Sequence, residues 1–286
     1  MPLCSMKSLL KKADTKKYAV GAFSVINMET VYGTVLAAEE MRSPIILQIA
    51  EPRLKHVPLE YIGPLMVNAA KNASVPVAVH LDHGKSMGII NKAIRLGFSS
   101  VMMDASHLPL KDNIKLTAQA CREAHANNVD CEGEIGCLGN NEEDTINFTE
   151  VYTNINEAEE FAEATGVDAL AVAIGTRHGF YSASAPVNLD FSRLRDIYDR
   201  VSTPLVLHGG SGISDDDFKK CIAMGISKIN IATATVHNVM LEARKFFSEN
   251  TKVGGGDYYA FQDMATNAAK EIVKQHVMIF GSNGMA

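Results

Sequence analysis

The chain has 286 residues, of which 47% are hydrophobic, and its formal net charge at pH 7 is −6. An acidic chain without a basic stripe is a poor candidate for binding nucleic acid. No apolar run reaches the length of a membrane span, and the start of the chain lacks the apolar core of a signal peptide. We therefore expect a cytoplasmic protein without a membrane partner.

Eight short apolar runs alternate along the chain with longer segments of helical periodicity. Near-continuous apolarity is typical of strands that are covered on both faces, as in a parallel sheet. The predicted strands are, in chain order, 18–25, 43–50, 75–82, 99–105, 130–136, 169–175, 203–209 and 228–233.

The segments between the strands, such as 28–42 and 215–225, place apolar residues at helical spacing. Eight β/α units in a chain of this size, with no Gly/Ser/Pro linker, predict an α/β fold: one closed (β/α)8 barrel, a TIM barrel, in which residues 1–286 form a single domain. The glycines at 254–256 predict a loop before a C-terminal helical extension at about 263–277.

The five cysteines show no pattern of metal binding or disulfide pairing. Their number is odd and no two have the CxxC spacing. Reduced thiols are the simplest interpretation, so zinc ligation by cysteine is not expected. The cysteines are Cys4, Cys121, Cys131, Cys137 and Cys221.

Polar side chains gather at the carboxyl ends of the predicted strands, where barrel enzymes hold their active sites. Three different strands end in a histidine: His83, His178 and His208. Three imidazoles with one open coordination position suit catalytic zinc, so the pattern favours a metal site over three hydrogen-bonded core histidines. Asp82 is either an ionised base beside the metal or a partner of a histidine. The sequence leaves both roles open.

The other histidines are expected outside the metal site. His80 and His107 are predicted to orient carboxylates or ligands. Those expected at the surface are His56, His125, His237 and His276.

Two loop regions complete the predicted site. The acidic loop 136–148 follows the fifth strand and is either a mobile carrier of an acid/base or a solvated loop. The turn from Gly209 to Gly212 and the segment from Asn230 to Thr233 follow the last two strands. In a barrel this is the usual place for a phosphate, which backbone N–H groups and small hydroxyls bind.

Several motifs in order carry a resemblance to a known family. They are YAVGAF near the start, HLDHG at 80–84, SSVMMDASHLP at 99–109, EGEIGCLG at 132–139, ALAVAIGTRHGFY at 169–181, LVLHGGSGI at 205–213 and KINIAT at 228–233. Over nearly its whole length the chain resembles the class II, metal-dependent ketose-bisphosphate aldolases, the family of fructose- and tagatose-bisphosphate aldolases.

The resemblance implies a role for each matching residue. His83, His178 and His208 would be the zinc ligands, and Asp104 and Glu134 would be carboxylates that can hold a displaced or second metal. Asp82 would be the acid/base at the C4 hydroxyl. Glu142 would move a proton at C3, and the adjacent Glu143 is the alternative. The residues implied to bind the phosphate and hydroxyls of dihydroxyacetone phosphate are Gly179, Gly209, Ser211, Asn230 and Thr233.

The implied reaction is the reversible aldol cleavage of a ketose (bis)phosphate, with dihydroxyacetone phosphate as the donor half. Zinc would stabilise the charge formed when a proton leaves the carbon next to the ketone. A monovalent cation, Na⁺ or K⁺, near the phosphate and a homodimer or homotetramer are also implied. A Schiff-base aldolase would need a lysine at the carboxyl end of a strand, whereas Lys228 stands at the start of the predicted eighth strand.

The chain departs from the family pattern where the second half of the substrate would bind. Ala50 stands where the family usually has a serine that contacts the distal phosphate, and 257–261 lacks an arginine that many members supply from a neighbouring subunit. Ser24 replaces a common asparagine. Because charge-assisted contacts are the strong ones, we predict an altered aldehyde. It either lacks a phosphate or presents another anion to Arg53 or Lys55.

Two other classes remain as alternatives. A metal-dependent barrel hydrolase would need an HxH pair after the first strand, where the chain has Phe23-Ser24-Val25. A non-catalytic protein that binds a metal or a sugar phosphate would not need Asp82 and Glu142 beside a full set of ligands.

Overall fold

The computed structural model describes residues 2–137, 139–140, 152–179, 187–249 and 254–286. At positions 139, 140, 178, 255 and 256 it describes the backbone.

Ten strands are present in the described residues, and eight of them close into a parallel barrel. The ten are β1 (Val20–Ser24), β2 (Ile45–Ala50), β3 (Val77–Gly84), β4 (Ser100–Met103), β5 (Asp130–Ile135), β6 (Gly139–Asn140), β7 (Ala169–Val172), β8 (Arg177–His178), β9 (Leu205–Leu207) and β10 (Ile226–Ile231). Around the barrel the order is β1-β2-β3-β4-β5-β7-β9-β10, and β10 pairs with β1. Strands β6 and β8 pair with each other outside the barrel.

Helices alternate with the barrel strands. They are α1 (Met6–Lys16), α2 (Met28–Met41), α3 (Leu59–Asn72), α4 (Met87–Arg95), α5 (Leu110–Ala126), α6 (Ile155–Thr165), α7 (Phe191–Arg200), α8 (Asp215–Ala223), α9 (Thr233–Glu249) and α10 (Gly255–Phe280), with a 3₁₀-helix at Glu51–Lys55. The predicted (β/α)8 barrel is confirmed. Within the described ranges, no helix combines the length and the apolar content that crossing a bilayer requires.

The C-terminal helix is longer than the sequence predicted. Gly254 is the N-cap of α10, so the glycines expected to form a loop begin the helix instead. Helix α10 packs closely on α2, where a Cβ at Gly33 would lie 2.4 Å from the backbone oxygen of Thr266. This packing involves the body of α10, whereas the glycines occupy only its N-cap and first turn.

One histidine expected at the surface is buried, and that prediction was wrong. His276 on α10 is 7% exposed. Its ring centroid lies 5.6 Å from that of Phe280 and 6.3 Å from those of Phe23 and Phe218. Its Nδ1 donates a hydrogen bond to the Ile272 carbonyl oxygen at 2.7 Å. Because α10 is covered on several sides, the spacing of its apolar residues did not indicate that position 276 is buried.

The amino end of the barrel is sealed by the first helix. Buried Met6 and Leu10 of α1 pack in one apolar cluster with Val20, Ile46 and Ala78 from the starts of three strands. Asp130, at the start of β5, accepts hydrogen bonds from this N-terminal segment. Because this end is closed by apolar side chains, the polar site belongs at the opposite mouth.

Candidate active site

The barrel interior carries two stacked layers of polar side chains below its carboxyl-end mouth. Side chains two residues apart on a strand point to the same face, so each of three strands contributes one residue to each layer. The pairs, with the deeper residue first, are His80 and Asp82 on β3, Glu132 and Glu134 on β5, and Lys228 and Asn230 on β10. All six are buried.

A local irregularity lets two successive residues, Asp82 and His83, take part in the same site. In a regular strand they would point to opposite faces. His83 instead has φ 47°, uncommon for a residue other than glycine, and the pairing of β3 with β4 shifts in register between Leu81 and Gly84. Such an extra residue turns the strand and re-aims a side chain.

The structure brings five of the predicted residues into two groups that could hold a metal ion. Asp82, His83 and His208 offer ligand atoms within 4.8 Å of one another, and His83, Asp104 and Glu134 do the same. The rings of His83 and His208 lie 4.8 Å apart between centroids, at 78°. Imidazole nitrogens and carboxylate oxygens are the ligands expected of zinc.

His83 is held by a carboxylate. Its Nδ1 lies 2.9 Å from Asp104 Oδ2, and Asp104 Oδ1 accepts from the Ser106 hydroxyl at 2.8 Å. Burial alone would lower the pKa of His83, but the charges of Asp82 and Asp104 raise it to about 10. Burial likewise opposes ionisation of Asp104, yet the bond to His83 holds the pKa of that carboxyl well below its usual range. A divalent ion bound to His83 would displace one of its two ring protons.

Glu134 has a buried oxygen that the described residues leave without a hydrogen-bond partner. This atom, Oε2, lies 3.8 Å from His83 Nδ1 and 3.8 Å from His208 Nδ1. Burial, and then the charge of Asp104, raises the pKa of Glu134 well above its ordinary value. A buried polar atom without a partner is rare in native proteins, so the residues present fit a cation at this position.

Asp82 accepts two amide hydrogen bonds. Gln48 Nε2 donates to its Oδ2 at 3.1 Å, and Asn230 Nδ2 donates to its Oδ1 at 3.2 Å. Burial alone would raise the pKa of Asp82, but the charge of His83, followed by that of His208, keeps it below the ordinary value. Gln48 was missed from the sequence, although an amide inside the apolar strand IILQIA was a visible signal.

The deeper layer contains a buried ion pair. Lys228 Nζ lies 2.8 Å from Glu132 Oε2, and Glu132 Oε1 accepts from His208 Nε2 at 2.9 Å. The charge of Lys228 overcomes burial and holds the pKa of Glu132 well below its usual range. Burial and Lys228 together lower the pKa of His80 to about 3, and His80 Nδ1 contacts Ser100 Oγ at 2.9 Å. His80 thus lies beside carboxylates, as predicted, whereas His107 is exposed.

The position of Lys228 corrects the sequence interpretation. Strand β10 begins at Ile226, two residues before the predicted start. Lys228 is therefore an interior residue one layer below the mouth, rather than one at the far end of a strand.

Four of the five residues predicted to bind phosphate lie at the ends of β9 and β10. Ser211 Oγ accepts from the backbone N–H of Ala234, in the first turn of α9, which begins at Thr233. The backbone N–H of Gly210 donates to the Asn230 carbonyl oxygen at 3.3 Å. Gly209 has φ 67°, and Gly179 follows β8. A turn of small residues beside a helix N-terminus is suited to an anion.

Three predicted positions lie wholly or partly outside the described residues. Glu142 and the alternative Glu143 are outside them, and so is the side chain of His178. The backbone of His178 belongs to β8, which runs against the turn after β9. A Cβ at Gly209 would lie 2.4 Å from the backbone oxygen of the neighbouring Arg177.

The described residues thus form a parallel barrel with imidazoles and carboxylates grouped at its carboxyl-end mouth, where they could hold a metal ion. The family described as fructose-bisphosphate aldolase class-II matches residues 4–285. The chain belongs to this family, and the resemblance seen in its sequence is confirmed.

Solved structures agree with this assignment. The YdjI aldolase from Escherichia coli K12 is 36% identical, with 99% of each chain covered and a TM-score of 0.87. A proposed fructose-1,6-biphosphate aldolase from Coccidioides immitis is 30% identical, with 98% of this chain and 97% of that chain covered and a TM-score of 0.87. A fructose-bisphosphate aldolase from Campylobacter jejuni, at 21% identity and a TM-score of 0.82 over 99% and 97%, shares the fold.

Proposed function

We propose that this aldolase is a zinc-dependent enzyme that reversibly cleaves a ketose phosphate and releases dihydroxyacetone phosphate as the donor half. The observation that carries the proposal is the group of ligand atoms from Asp82, His83 and His208 within 4.8 Å of one another. The buried Glu134 oxygen beside them would add a further ligand. Family membership does not favour the alternatives, a metal-dependent hydrolase or a non-catalytic sugar-phosphate-binding protein.

His83, His208 and the predicted third ligand His178 would hold the zinc ion, and Asp104 and Glu134 would accept a displaced or second ion. When bound, Zn²⁺ acts as a Lewis acid toward charge that develops at the substrate carbonyl, which is worth several kcal/mol. Asp104 also keeps the His83 ring oriented, because its Oδ2 accepts from the ring Nδ1.

Proton transfer is assigned to two carboxylates of the chain. Asp82 takes the proton of the C4 hydroxyl as the carbon–carbon bond breaks, and its two amide donors fix the carboxylate for this step. Glu142, or the neighbouring Glu143, moves the proton at C3. Each such transfer contributes roughly 10²–10⁴-fold in typical enzymes.

The phosphate and hydroxyls of the donor half are assigned to the end of β10 and to the segments that follow β8, β9 and β10. Backbone N–H groups and the Ser211 hydroxyl favour an anion there. The residues proposed for this role are Gly179, Gly209, Ser211, Asn230 and Thr233. A monovalent cation, Na⁺ or K⁺, beside the phosphate stays a prediction.

The aldehyde half is proposed to differ from glyceraldehyde 3-phosphate. Ala50 ends β2 directly opposite Asp82 and offers a methyl group. The next residue, Glu51, accepts from the backbone N–H of Lys85 at 2.5 Å. A carboxylate fixed at this point disfavours a phosphate, so the aldehyde either lacks one or directs another anion to Arg53 or Lys55.

A homo-oligomer, a dimer or tetramer, is also proposed. Large apolar side chains on α9 and α10 are well exposed, and contiguous exposed apolar surface marks protein interfaces. The most exposed in the described part of these helices are Phe247, Tyr258, Tyr259 and Met278, at 61%, 61%, 69% and 57%. We further propose that residues 1–286 form a single catalytic domain. The protein is assigned to the cytoplasm, where its five free thiols would remain reduced.

Hydrogen exchange into dihydroxyacetone phosphate tests the reaction. The protein should catalyse solvent exchange at C3, lose that activity in a strong chelator and regain it when zinc is added back. A protein that demonstrably holds zinc but catalyses no exchange would instead be a hydrolase or a binding protein.

Comparing substrates tests the aldehyde half. We expect ketose 1-phosphates to be cleaved better than fructose or tagatose 1,6-bisphosphate by the ratio of kcat/KM. Efficient cleavage of either bisphosphate, far above the monophosphates, would refute the altered acceptor while leaving the aldolase assignment intact.

A further inference from the structure

The ion pair beneath the metal-ligand group has no solvent contact. The side chains of Lys228 and Glu132 are both fully buried, with 2.8 Å between Nζ and Oε2. Removing two charges from water costs several kcal/mol per ion, and apolar replacements of similar volume are often as stable or more so. Stability alone is therefore a poor reason for this pair.

Glu132 connects the lysine to His208. Its Oε1 lies 2.9 Å from His208 Nε2, while Oε2 faces Lys228. An ionised carboxylate can only accept hydrogen bonds, so His208 must carry its proton on Nε2. The other ring nitrogen, Nδ1, then faces the metal-ligand group, 3.8 Å from Glu134 Oε2.

The two histidines of the group thus use different ring nitrogens to bond their carboxylate partners. His83 gives Nδ1 to Asp104, whereas His208 gives Nε2 to Glu132. A carboxylate behind a metal-binding histidine fixes the tautomer and ring orientation and increases the basicity of the ligand.

The lysine completes the surroundings of Glu132. His80, Asp82 and Glu132 also lie close enough to resemble a cation site, with His80 Nε2 3.6 Å from Glu132 Oε2. The Lys228 ammonium supplies the positive charge at this place, because it bonds that same Oε2. It therefore fixes one oxygen of the Glu132 carboxylate and leaves the other directed at His208.

We propose that Lys228 and Glu132 are positioning residues, which hold His208 with its Nε2 protonated and its Nδ1 directed at the catalytic metal ion. The inference rests on the proposed zinc site. Neither residue touches the substrate in this scheme.

Zinc affinity tests the proposal in Glu132→Gln, Lys228→Met and the double variant. Each protein is stripped of metal, and its Zn²⁺ dissociation constant is measured by competition with a chelator of known affinity. We expect Glu132→Gln to bind zinc roughly 10–100-fold more weakly and Lys228→Met to be weakened in the same direction. The double variant should recover the denaturation midpoint of the metal-free wild type but not its zinc affinity.

An ion pair at the opposite end of the barrel, with a buried carboxylate and a partly exposed lysine, provides the control. Asp168 is 2% exposed and its Oδ1 lies 2.6 Å from Lys7 Nζ. Asp168→Asn should lower the denaturation midpoint while leaving zinc affinity within twofold of wild type. If the double variant folds like wild type and also binds zinc within twofold of it, the Lys228–Glu132 pair is only structural and the proposal fails.

A second measurement needs no variant of the pair. Nitrogen-15 spectra of histidine-labelled wild type report which ring nitrogen carries the proton, with His208→Gln used to assign the signal. The proposal requires Nε2–H on His208 both before and after zinc is added, and an Nδ1–H form would overturn it. If wild type binds no zinc at all, the proposed function fails instead, so the two failures are distinguishable.

Discussion

Asp82 is a buried carboxylate that accepts two amide hydrogen bonds and is the proposed acid/base at the C4 hydroxyl. Asp82→Asn keeps the volume of the side chain but removes the carboxylate that would take the C4 hydroxyl proton. We expect kcat for ketose-phosphate cleavage to fall about 10²–10⁴-fold, whereas hydrogen exchange at C3 of dihydroxyacetone phosphate, assigned to Glu142, falls far less. Both rates can be measured on the same preparation.

Asp130→Asn is the control at the residue scale. Asp130 is a partly buried carboxylate, and its Oδ2 accepts from Ser5 Oγ at 2.7 Å and from the Lys7 backbone N–H at 2.9 Å. It lies at the sealed end of the barrel, so this change should alter the free energy of unfolding but neither rate. If Asp82→Asn loses cleavage and exchange equally, Asp82 is not specific to the proton transfer at the C4 hydroxyl.

The strands and helices of the fold were largely predictable from the sequence, whereas features that depend on contacts and register between strands were not. Eight apolar runs marked the eight barrel strands because a strand buried on both faces must be apolar. The contacts of Glu132 with His208 and of Gln48 with Asp82 were not predictable. The first joins β5 to the end of β9 past the intervening β7, and the second depends on the register between the neighbouring strands β2 and β3. The turn at His83 was also hidden, because it results from a register shift between β3 and β4.

The turn after β9 supports a prediction at the scale of an element. Gly209→Ala combines two penalties: a left-handed backbone, which costs an L-residue about 1–2 kcal/mol, and a Cβ that would lie 2.4 Å from the Arg177 backbone oxygen. Because Arg177 and His178 form β8, relief of the clash must displace the predicted third zinc ligand or the turn itself. We expect a higher KM for the ketose phosphate and weaker zinc binding, measured by steady-state kinetics and chelator competition.

Gly166→Ala separates strain from displacement. Gly166 has nearly the same φ, 69° against 67°, but a Cβ at this position would have no neighbouring atom within 4 Å. The variant should lose stability through backbone strain alone and keep the wild-type KM and zinc affinity. If the two variants behave alike in both assays, contact between the turn and β8 is irrelevant to the site.

At the scale of the whole molecule, the packing of α10 on the barrel makes stability depend on pH. Burial lowers the pKa of His276, although its bond to the Ile272 carbonyl and the charge of Asp215 oppose the shift. The unfolded chain therefore binds a proton at His276 more readily than the folded one. The free energy of unfolding is not reduced by this residue above the histidine pKa of the unfolded chain, about 6.5, and it decreases as the pH falls below that pKa. One proton can contribute at most about 1.4 kcal/mol per pH unit.

His276→Leu should remove this part of the pH dependence. Denaturant unfolding of metal-free wild type and variant between pH 8 and pH 5 gives the difference in their free energies of unfolding. As the pH falls, the variant should become more stable relative to wild type. Phe280→Leu alters the same aromatic cluster without removing a titratable group, so its destabilisation should stay constant over that range. A constant difference for His276→Leu as well would mean that the folded protein accommodates the protonated imidazole, and that the acid sensitivity of the fold arises elsewhere.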